Sequence, residues 1–209
     1  LKANAGIIGP DTYLMTLQNG AGHEEILGKF APLERIVIGT TEDNGTVLEP
    51  AHVRHGGTGK TNIGMLTEDT RGFLPKLKET MDNCGFHAMI HENIQQLIWN
   101  KLFTNVSLSA VTGVLQIPMG FISENEYAWN MTRNLLHEAV EVAHALGLEA
   151  DEAELLEKVR QTSAGSPTGI TSICSDLSKG RRTEVNTISG AVVSAAKKVG
   201  VAVPSHEMI

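Results

Sequence analysis

The 209-residue chain is poor in cysteine and in aromatic residues, and it has no run of basic residues. Its two cysteines, Cys84 and Cys174, form no CxxC pair and no zinc-ligand spacing, which excludes a disulfide framework. We expect both to be reduced, small core residues of a cytoplasmic protein. No apolar stretch reaches the ~18 residues that a membrane-spanning helix requires. The net charge of −7 argues against nucleic acid as a partner.

The pattern of apolar residues changes near residue 92. Before it, short strand patterns alternate with helical ones, which predicts part of an α/β layer over residues 1–91. Strands are expected at 12–17, 35–41, 47–55, 60–65 and 86–91, with helices at 22–30 and 73–84. After it, helical periodicity predicts an all-α domain over residues 92–209. Its helices are expected at roughly 93–116, 123–146, 151–162 and 170–199.

Two patterns resemble binding motifs but lack the residues that those motifs need. The run Gly56–Thr61 would be a phosphate loop only with a glycine five residues before Gly59, where this chain has Arg54. We therefore expect a glycine turn between two strands. No metal site is predicted, because no carboxylate or cysteine stands at ligand spacing near either histidine pair, His52 with His55 or His87 with His91.

The segment Trp99–Thr112 predicts a mostly apolar helix with polar residues along one side. Lys101, Asn105 and Ser109 recur every four residues, and Thr112 follows three later, so these four form one polar stripe. A helix this apolar should be largely buried, and a buried lysine is costly unless something pairs with it or binds to it. The polar stripe therefore favours a cleft for a small, oxygen-rich ligand. The same spacing also suits the surface of an ordinary amphipathic helix.

A second group of polar residues lies near the C-terminus. Ser172 and Asp176 are four apart on the helix expected at 170–199, and Glu184 is eight beyond Asp176. These residues could lie on an exposed helix, where Arg181 and Arg182 pair with surface acids. Alternatively, Ser172 and Glu184 share a cleft with the polar stripe. Spacing along the chain does not distinguish the two interpretations.

Four groups of residues, in order along nearly the whole chain, resemble the ketopantoate reductase family. They are Leu17-Gln-Asn-Gly20 with Gly22-His-Glu-Glu25, Gly39-Thr-Thr41 through His52-Val-Arg-His-Gly56, Trp99-x-Lys-Leu-x-x-Asn105, and Ser172-x-x-x-Asp176 with Gly180-Arg-Arg-Thr-Glu184. The resemblance implies the C-terminal half of a Rossmann-type domain, followed by a helical domain like that of 6-phosphogluconate dehydrogenase. It also implies a fragment without roughly the first 70 residues, which would carry the Gly-x-Gly-x-x-Gly phosphate loop. We expect such a fragment to bind NADPH poorly.

The resemblance also implies a reaction and a set of site residues. The reaction would be the NADPH-dependent reduction of 2-dehydropantoate (ketopantoate) to (R)-pantoate, a step towards pantothenate and coenzyme A. An exposed helical domain would be compatible with a homodimer. Lys101 would be the catalytic lysine. Asn105, Ser109, Ser172 and Glu184 would bind the substrate, and Asn19 and Glu184 would contact the cofactor.

Two alternatives to this activity remain open. The family often has an asparagine where this chain has Ser109, and a shorter side chain could accommodate a different substrate. One alternative is therefore a related NAD(P)-dependent oxidoreductase acting on another 2-oxo or 3-hydroxy acid. The other is a non-enzymatic, NADP-sensing protein of the same fold. Loss of the lysine or the glutamate would mark the second, and Lys101 and Glu184 are both present.

Overall fold

The computed structural model describes all 209 residues, and it divides the chain into two compact units. The first unit comprises Leu1–Gln18 and His23–Ile98, and the second comprises Asn19–Gly22 and Trp99–Ile209. The short 19–22 segment is thus grouped with the second unit, although it lies between two parts of the first in the chain. A domain boundary near residue 92 stays a prediction.

Six strands lie in the first unit: β1 (Leu14–Thr16), β2 (Ile36–Thr41), β3 (Asn44–Glu49), β4 (His52–Gly57), β5 (Lys60–Gly64) and β6 (His87–Ile90). Four of them form a mixed sheet in the order β1-β2-β5-β6. β1 is parallel to β2, β2 is antiparallel to β5, and β5 is parallel to β6. The first three residues of β2, Ile36, Val37 and Ile38, are at most 2% exposed. A continuous apolar run of this kind is typical of a strand covered on both faces.

Two helices accompany this sheet, α1 (His23–Leu27) and α2 (Phe73–Asn83). One side of α2 is apolar and packs onto the sheet, as its spacing predicts. The core of the first unit therefore combines helix and strand residues: Val37, Ile63, Met65, Leu74, Met81 and Ala88.

The prediction of a single strand over 47–55 is wrong. The chain turns at Pro50 and Ala51, so β3 and β4 form a separate two-stranded hairpin. Pro50 has no N–H to donate to a strand ladder, and Ala51 adopts a left-handed φ of 62°. Every residue of both strands is exposed. The 56–59 turn also does not join two paired strands, because β5 pairs with β2 and β6 instead of β4.

The rest of the chain is helical, with no strand after β6. Its helices are α3 (Ile94–Leu115), α4 (Gly120–Glu124), α5 (Glu126–Ala145), α6 (Glu152–Gly165), α7 (Ser172–Ser178), α8 (Ser189–Val199) and α9 (Pro204–Met208). The predicted fold class, a sheet with helices followed by an all-helical part, is confirmed. None of the helices combines the length and the apolar character needed to cross a membrane.

Two of the predicted helices are divided in the structure. The helix expected at 123–146 is split at Asn125, whose side chain accepts the backbone N–H groups of Tyr127 and Ala128 and so begins α5. The helix expected at 170–199 ends at Ser178, because Gly180 adopts a left-handed φ of 63°. Glu184 is therefore not on α7, and the predicted helical spacing between Asp176 and Glu184 is wrong.

The expectation that both cysteines are core residues holds for only one of them. Cys174 is buried in α7, whereas Cys84, directly after α2, is exposed. Neither forms a disulfide.

Candidate active site

Every site residue proposed from the sequence lies in the second, helical unit. Lys101, Asn105 and Ser109 are on α3, and Ser172 is the first residue of α7. Glu184 directly precedes a short 3-10 turn at Val185–Thr187. Asn19 belongs to the 19–22 segment, which is grouped with the same unit.

The polar stripe becomes progressively more buried along α3. Lys101 and Asn105 are half-buried, Ser109 is 6% exposed, and Thr112 is completely buried. Between them, Leu102, Phe103 and Val106 are at most 1% exposed. The interpretation of α3 as an exposed amphipathic helix is therefore wrong. Lys101 and Asn105, at the lysine end of the polar stripe, are therefore its most exposed side chains.

One apolar cluster holds the segments that carry the other site residues. Ile173 follows Ser172, Ile188 follows Glu184 by four positions, and Ala21 lies two residues after Asn19. All three belong to the core around the first turns of α3 within this unit, together with Trp99, Leu102, Phe103, Val106 and Val192. The cluster therefore places three segments that are distant in the chain against the helix that carries the polar stripe.

The 19–22 segment is bound to the turn at 184–187. The Asn19 side-chain amide donates from Nδ2 to Glu184 Oε2 at 3.2 Å, and the Ala21 N–H donates to the Thr187 carbonyl oxygen at 3.0 Å. Gly20, with a φ of 94°, lies so close to Thr187 that a Cβ atom would overlap its carbonyl oxygen. A glycine is therefore required there. These contacts place an amide and a carboxylate side by side.

Thr171 contributes to this region and was not singled out in the sequence. Its hydroxyl lies 2.7 Å from the hydroxyl of Thr112, so the buried end of the polar stripe meets the start of α7. The Thr171 side chain also accepts the backbone N–H of Cys174 and is the N-cap of α7. A threonine directly before an apolar helical run is the signal that could have identified it.

Arg181, shortly after α7, matches the surface interpretation. Arg181 Nε lies 3.9 Å from Asp176 Oδ1, and the Arg181 side chain is 61% exposed. Such a pair contributes little to stability. No group of three or more histidine, cysteine or acidic side chains could hold a metal ion. The residues proposed from the sequence offer an ammonium, amides, hydroxyls and a carboxylate.

Two family descriptions match the chain. Residues 1–68 match "Ketopantoate reductase PanE/ApbA", and residues 93–209 match "Ketopantoate reductase PanE/ApbA C terminal". A 2-dehydropantoate 2-reductase of Halobacterium salinarum is 30% identical over 191 residues, which is 91% of this chain and 63% of that protein. One of Pyrococcus horikoshii is 31% identical over 200 residues, which is 95% of this chain and 65% of that protein. The chain thus spans a little under two thirds of the length of these relatives.

Solved structures show the same similarity. D-mandelate dehydrogenase with NADH is 28% identical, with a TM-score of 0.85 over 99% of this chain and 70% of that one. The 2-dehydropantoate 2-reductase from Geobacter metallireducens is 26% identical, with a TM-score of 0.82 over 94% of this chain and 65% of that one. Together with the two family matches, these similarities establish that the chain belongs to the ketopantoate reductase family.

Proposed function

We propose that this chain supplies the substrate-binding and catalytic residues of an oxidoreductase that reduces 2-dehydropantoate to (R)-pantoate with NADPH. The names of its relatives support the reaction. The observation that carries the proposal is the placement of Lys101 at the more exposed end of the polar stripe, on a mostly buried helix. A half-buried ammonium at this position is accessible to a ligand and can act on negative charge that develops on it.

Lys101 is the proposed catalytic residue. NADPH, when bound, supplies the hydride, and the carbonyl oxygen of the 2-oxo acid becomes negatively charged as the carbonyl is reduced. The Lys101 ammonium is complementary to that developing charge, and it holds a proton at Nζ that the oxygen can accept. Asn105 and Ser109, one and two turns further along α3, would orient the substrate by hydrogen bonds.

Ser172 and Glu184 would bind the two ends of the substrate. The Ser172 hydroxyl can donate to the substrate carboxylate, and the Glu184 carboxylate can accept from the substrate hydroxyl. The adjacent Asn19 and Glu184 side chains also offer a donor and acceptors that fit the carboxamide and ribose hydroxyls of a nicotinamide nucleotide. The preference for NADPH over NADH rests on the family resemblance.

Steady-state kinetics of the product of the complete gene test this proposal. Lys101→Ala should lower kcat for ketopantoate by about 10²–10³, because it removes an interaction with charge that forms only in the transition state. The KM for NADPH should change little. Glu184→Ala should act mainly on the KM for the 2-oxo acid, because the substrate hydroxyl is present throughout the reaction.

Lys197→Ala is the matched control, because Lys197 is an exposed lysine on α8 outside the site. It should leave kcat unchanged. A near-normal kcat for Lys101→Ala would contradict the assignment of the catalytic lysine.

A second candidate is a dehydrogenase for a different 2-oxo acid. D-mandelate dehydrogenase, in its ternary structure with NADH and anilino(oxo)acetate, matches this chain with a TM-score of 0.87 and 28% identity. Ser109, which is shorter than the usual asparagine, would leave room for a different substituent. Turnover of ketopantoate and phenylglyoxylate, each with NADPH and with NADH, separates the two candidates. Absence of turnover with every 2-oxo acid would instead favour a sensor.

A further inference from the structure

We propose that Thr112 and Thr171 are positioning residues, whose paired hydroxyls hold Ser172 where it can bind the carboxylate of a 2-oxo acid. This inference rests on the proposed function, which makes Ser172 a substrate-binding residue. Neither threonine needs to touch the substrate. Their role would be to fix the first turn of α7 against α3.

The hydrogen bonds around the two hydroxyls form one continuous chain. Thr112 Oγ1 lies 2.8 Å from the Leu108 carbonyl oxygen and 2.7 Å from Thr171 Oγ1, which accepts the Cys174 N–H at 3.3 Å. Each hydroxyl has one proton. All three contacts are satisfied if Thr171 donates to Thr112 and Thr112 donates to Leu108. The three hydrogen bonds then all point in one direction, from a backbone N–H of α7 to a backbone carbonyl of α3.

The pair is buried, which makes it a rigid link. Thr112 is 0% exposed and Thr171 is 9% exposed. Water is therefore a poor substitute for either hydroxyl, and loss of the Thr112 hydroxyl would leave the Thr171 proton without its acceptor in the core. A hydrogen bond of this kind constrains geometry more strongly than the same bond at the surface.

A second contact fixes α7 on the other side of Ser172. The backbone of α3 at Gly113 approaches α7 so closely that a Cβ atom there would lie 2.5 Å from Ile173 Cγ2. Ile173 itself is 4% exposed and belongs to the core cluster. Ser172 is exposed between two residues, Thr171 and Ile173, that are each held against α3. Its backbone position is therefore set by its neighbours.

Binding a carboxylate through a single hydroxyl depends on that position, because a misplacement of about 1 Å can cost substantial activity. In the product of the complete gene, Thr112→Val should raise the KM for ketopantoate about tenfold. We expect kcat and the KM for NADPH to stay within about twofold of wild type, since Lys101 and Asn19 keep their surroundings. Thr112→Ser should restore the wild-type KM, because it keeps the hydroxyl.

Two comparisons separate positioning from a general loss of stability. The methyl ester of ketopantoate has no carboxylate, so its KM should not respond to Thr112→Val. In a Ser172→Ala background, Thr112→Val should have no further effect on the KM for ketopantoate, since the residue through which it acts is gone. Thr162→Val on α6 is the matched control, because its hydroxyl donates to the carbonyl four residues earlier, Lys158, and has no partner on another helix.

Thr171→Val removes the N-cap of α7 as well as the hydroxyl link, so Thr112→Val, which leaves the cap in place, decides the question. An unchanged KM for ketopantoate in Thr112→Val would overturn the inference, as would an equal rise for the acid and its ester. Wild-type protein that turns over no 2-oxo acid would contradict the proposed function itself. Normal wild-type turnover, together with an unchanged KM for ketopantoate in Thr112→Val, would contradict only the positioning role.

Discussion

The start of α7 and the turn at 184–187 each carry a proposed substrate-binding residue, yet they are held in different ways. The start of α7 is fixed by a buried pair of hydroxyls and by an apolar contact with α3. The turn is fixed by the 19–22 segment, through one half-buried side-chain bond between residues 165 apart and one backbone bond. The first arrangement depends on side chains that exclude water, whereas the second depends on a close approach of two backbones.

This difference determines which substitutions should matter most. At α7, removing a hydroxyl should disturb geometry with a modest loss of stability, because the apolar contact with Ile173 remains. At the turn, the side-chain bond is partly exposed, and the backbone approach at Gly20 is the feature that tolerates no change.

The largest effect is expected for Gly20→Ala. The new Cβ would overlap the Thr187 carbonyl oxygen, and the backbone φ of 94° is unfavourable for alanine. We expect a loss of about 2–4 kcal/mol in the free energy of unfolding, because the 19–22 segment must move away from the turn. Denaturant unfolding of the 209-residue chain measures it.

Gly22→Ala is the control for Gly20→Ala. Gly22 also has a left-handed φ, of 80°, but a methyl group added there would have no neighbouring atom within 4 Å. It should cost only the conformational strain, about 1 kcal/mol. Equal losses for the two variants would show that the close approach to Thr187 contributes nothing.

Much of the fold could be predicted because its signals are local. The helix expected at 93–116 corresponds to α3 at Ile94–Leu115, because this segment is a long, mostly apolar run without a proline. The prediction failed where one residue changes the backbone direction inside a favourable pattern. Ala51 turns what reads as one strand into a hairpin, and Gly180 ends α7 within what reads as one helix. Both residues adopt a positive φ, which the surrounding sequence pattern does not predict.

The site was only partly predictable, for a different reason. Spacing along one helix was enough to identify the polar stripe, because residues four apart share a side. It gave no indication that the Asn19 amide would meet the Glu184 carboxylate, since nothing local links residues 165 apart. Thr171 was overlooked because an N-cap threonine is normally explained by its own helix, whereas here its hydroxyl also contacts Thr112.

A second prediction compares the side chains that accept backbone N–H groups at the start of two helices, one a carboxylate and one a hydroxyl. Asp69 accepts the N–H groups of Phe73 at 2.9 Å and Leu74 at 2.7 Å at the start of α2. Burial raises the pKa of Asp69, but hydrogen bonds from these and neighbouring backbone N–H groups outweigh it and lower the pKa below its ordinary value. The stabilisation is therefore present above the ordinary aspartate pKa and is lost as the pH falls through the lower, folded-state value.

Asp69→Asn should accordingly lower the free energy of unfolding by about 1 kcal/mol at neutral pH. The free energy of unfolding of this variant should also decrease less than that of wild type as the pH is lowered. Asp11→Asn is the control, since the Asp11 side chain is 87% exposed. Thr171→Val should lower stability by an amount that does not depend on pH, because the hydroxyl cap does not titrate. A pH-dependent difference for Thr171→Val would contradict this contrast.

A smaller effect is expected for the bond between Asn19 and Glu184. A double-mutant cycle with Asn19→Ala and Glu184→Ala should give a coupling of about 0.5–1 kcal/mol in denaturant unfolding, because both side chains are half-buried. The equivalent cycle with Thr112→Val and Thr171→Val should give a larger coupling, since those hydroxyls are buried. A larger coupling energy for Asn19 with Glu184 than for Thr112 with Thr171 would mean that burial does not determine the strength of these two hydrogen bonds.

The smallest effect is expected for an exposed pair of similar length in the same unit. His137 Nδ1 lies 3.0 Å from Glu152 Oε2, with side chains 57% and 38% exposed. The hydrogen bond with Glu152 raises the pKa of His137 above its ordinary value, against a smaller opposing effect of burial. The stabilisation is therefore present below the ordinary histidine pKa and is lost as the pH rises through the folded-state value, the opposite direction to Asp69.

Because solvent screens the pair, His137→Gln should lower stability by less than about 0.5 kcal/mol at pH ~6 and by nothing at pH ~8. Thermal unfolding at the two pH values measures it, and a loss as large as that of Thr112→Val would show that contact distance, rather than burial, determines the strength of these links.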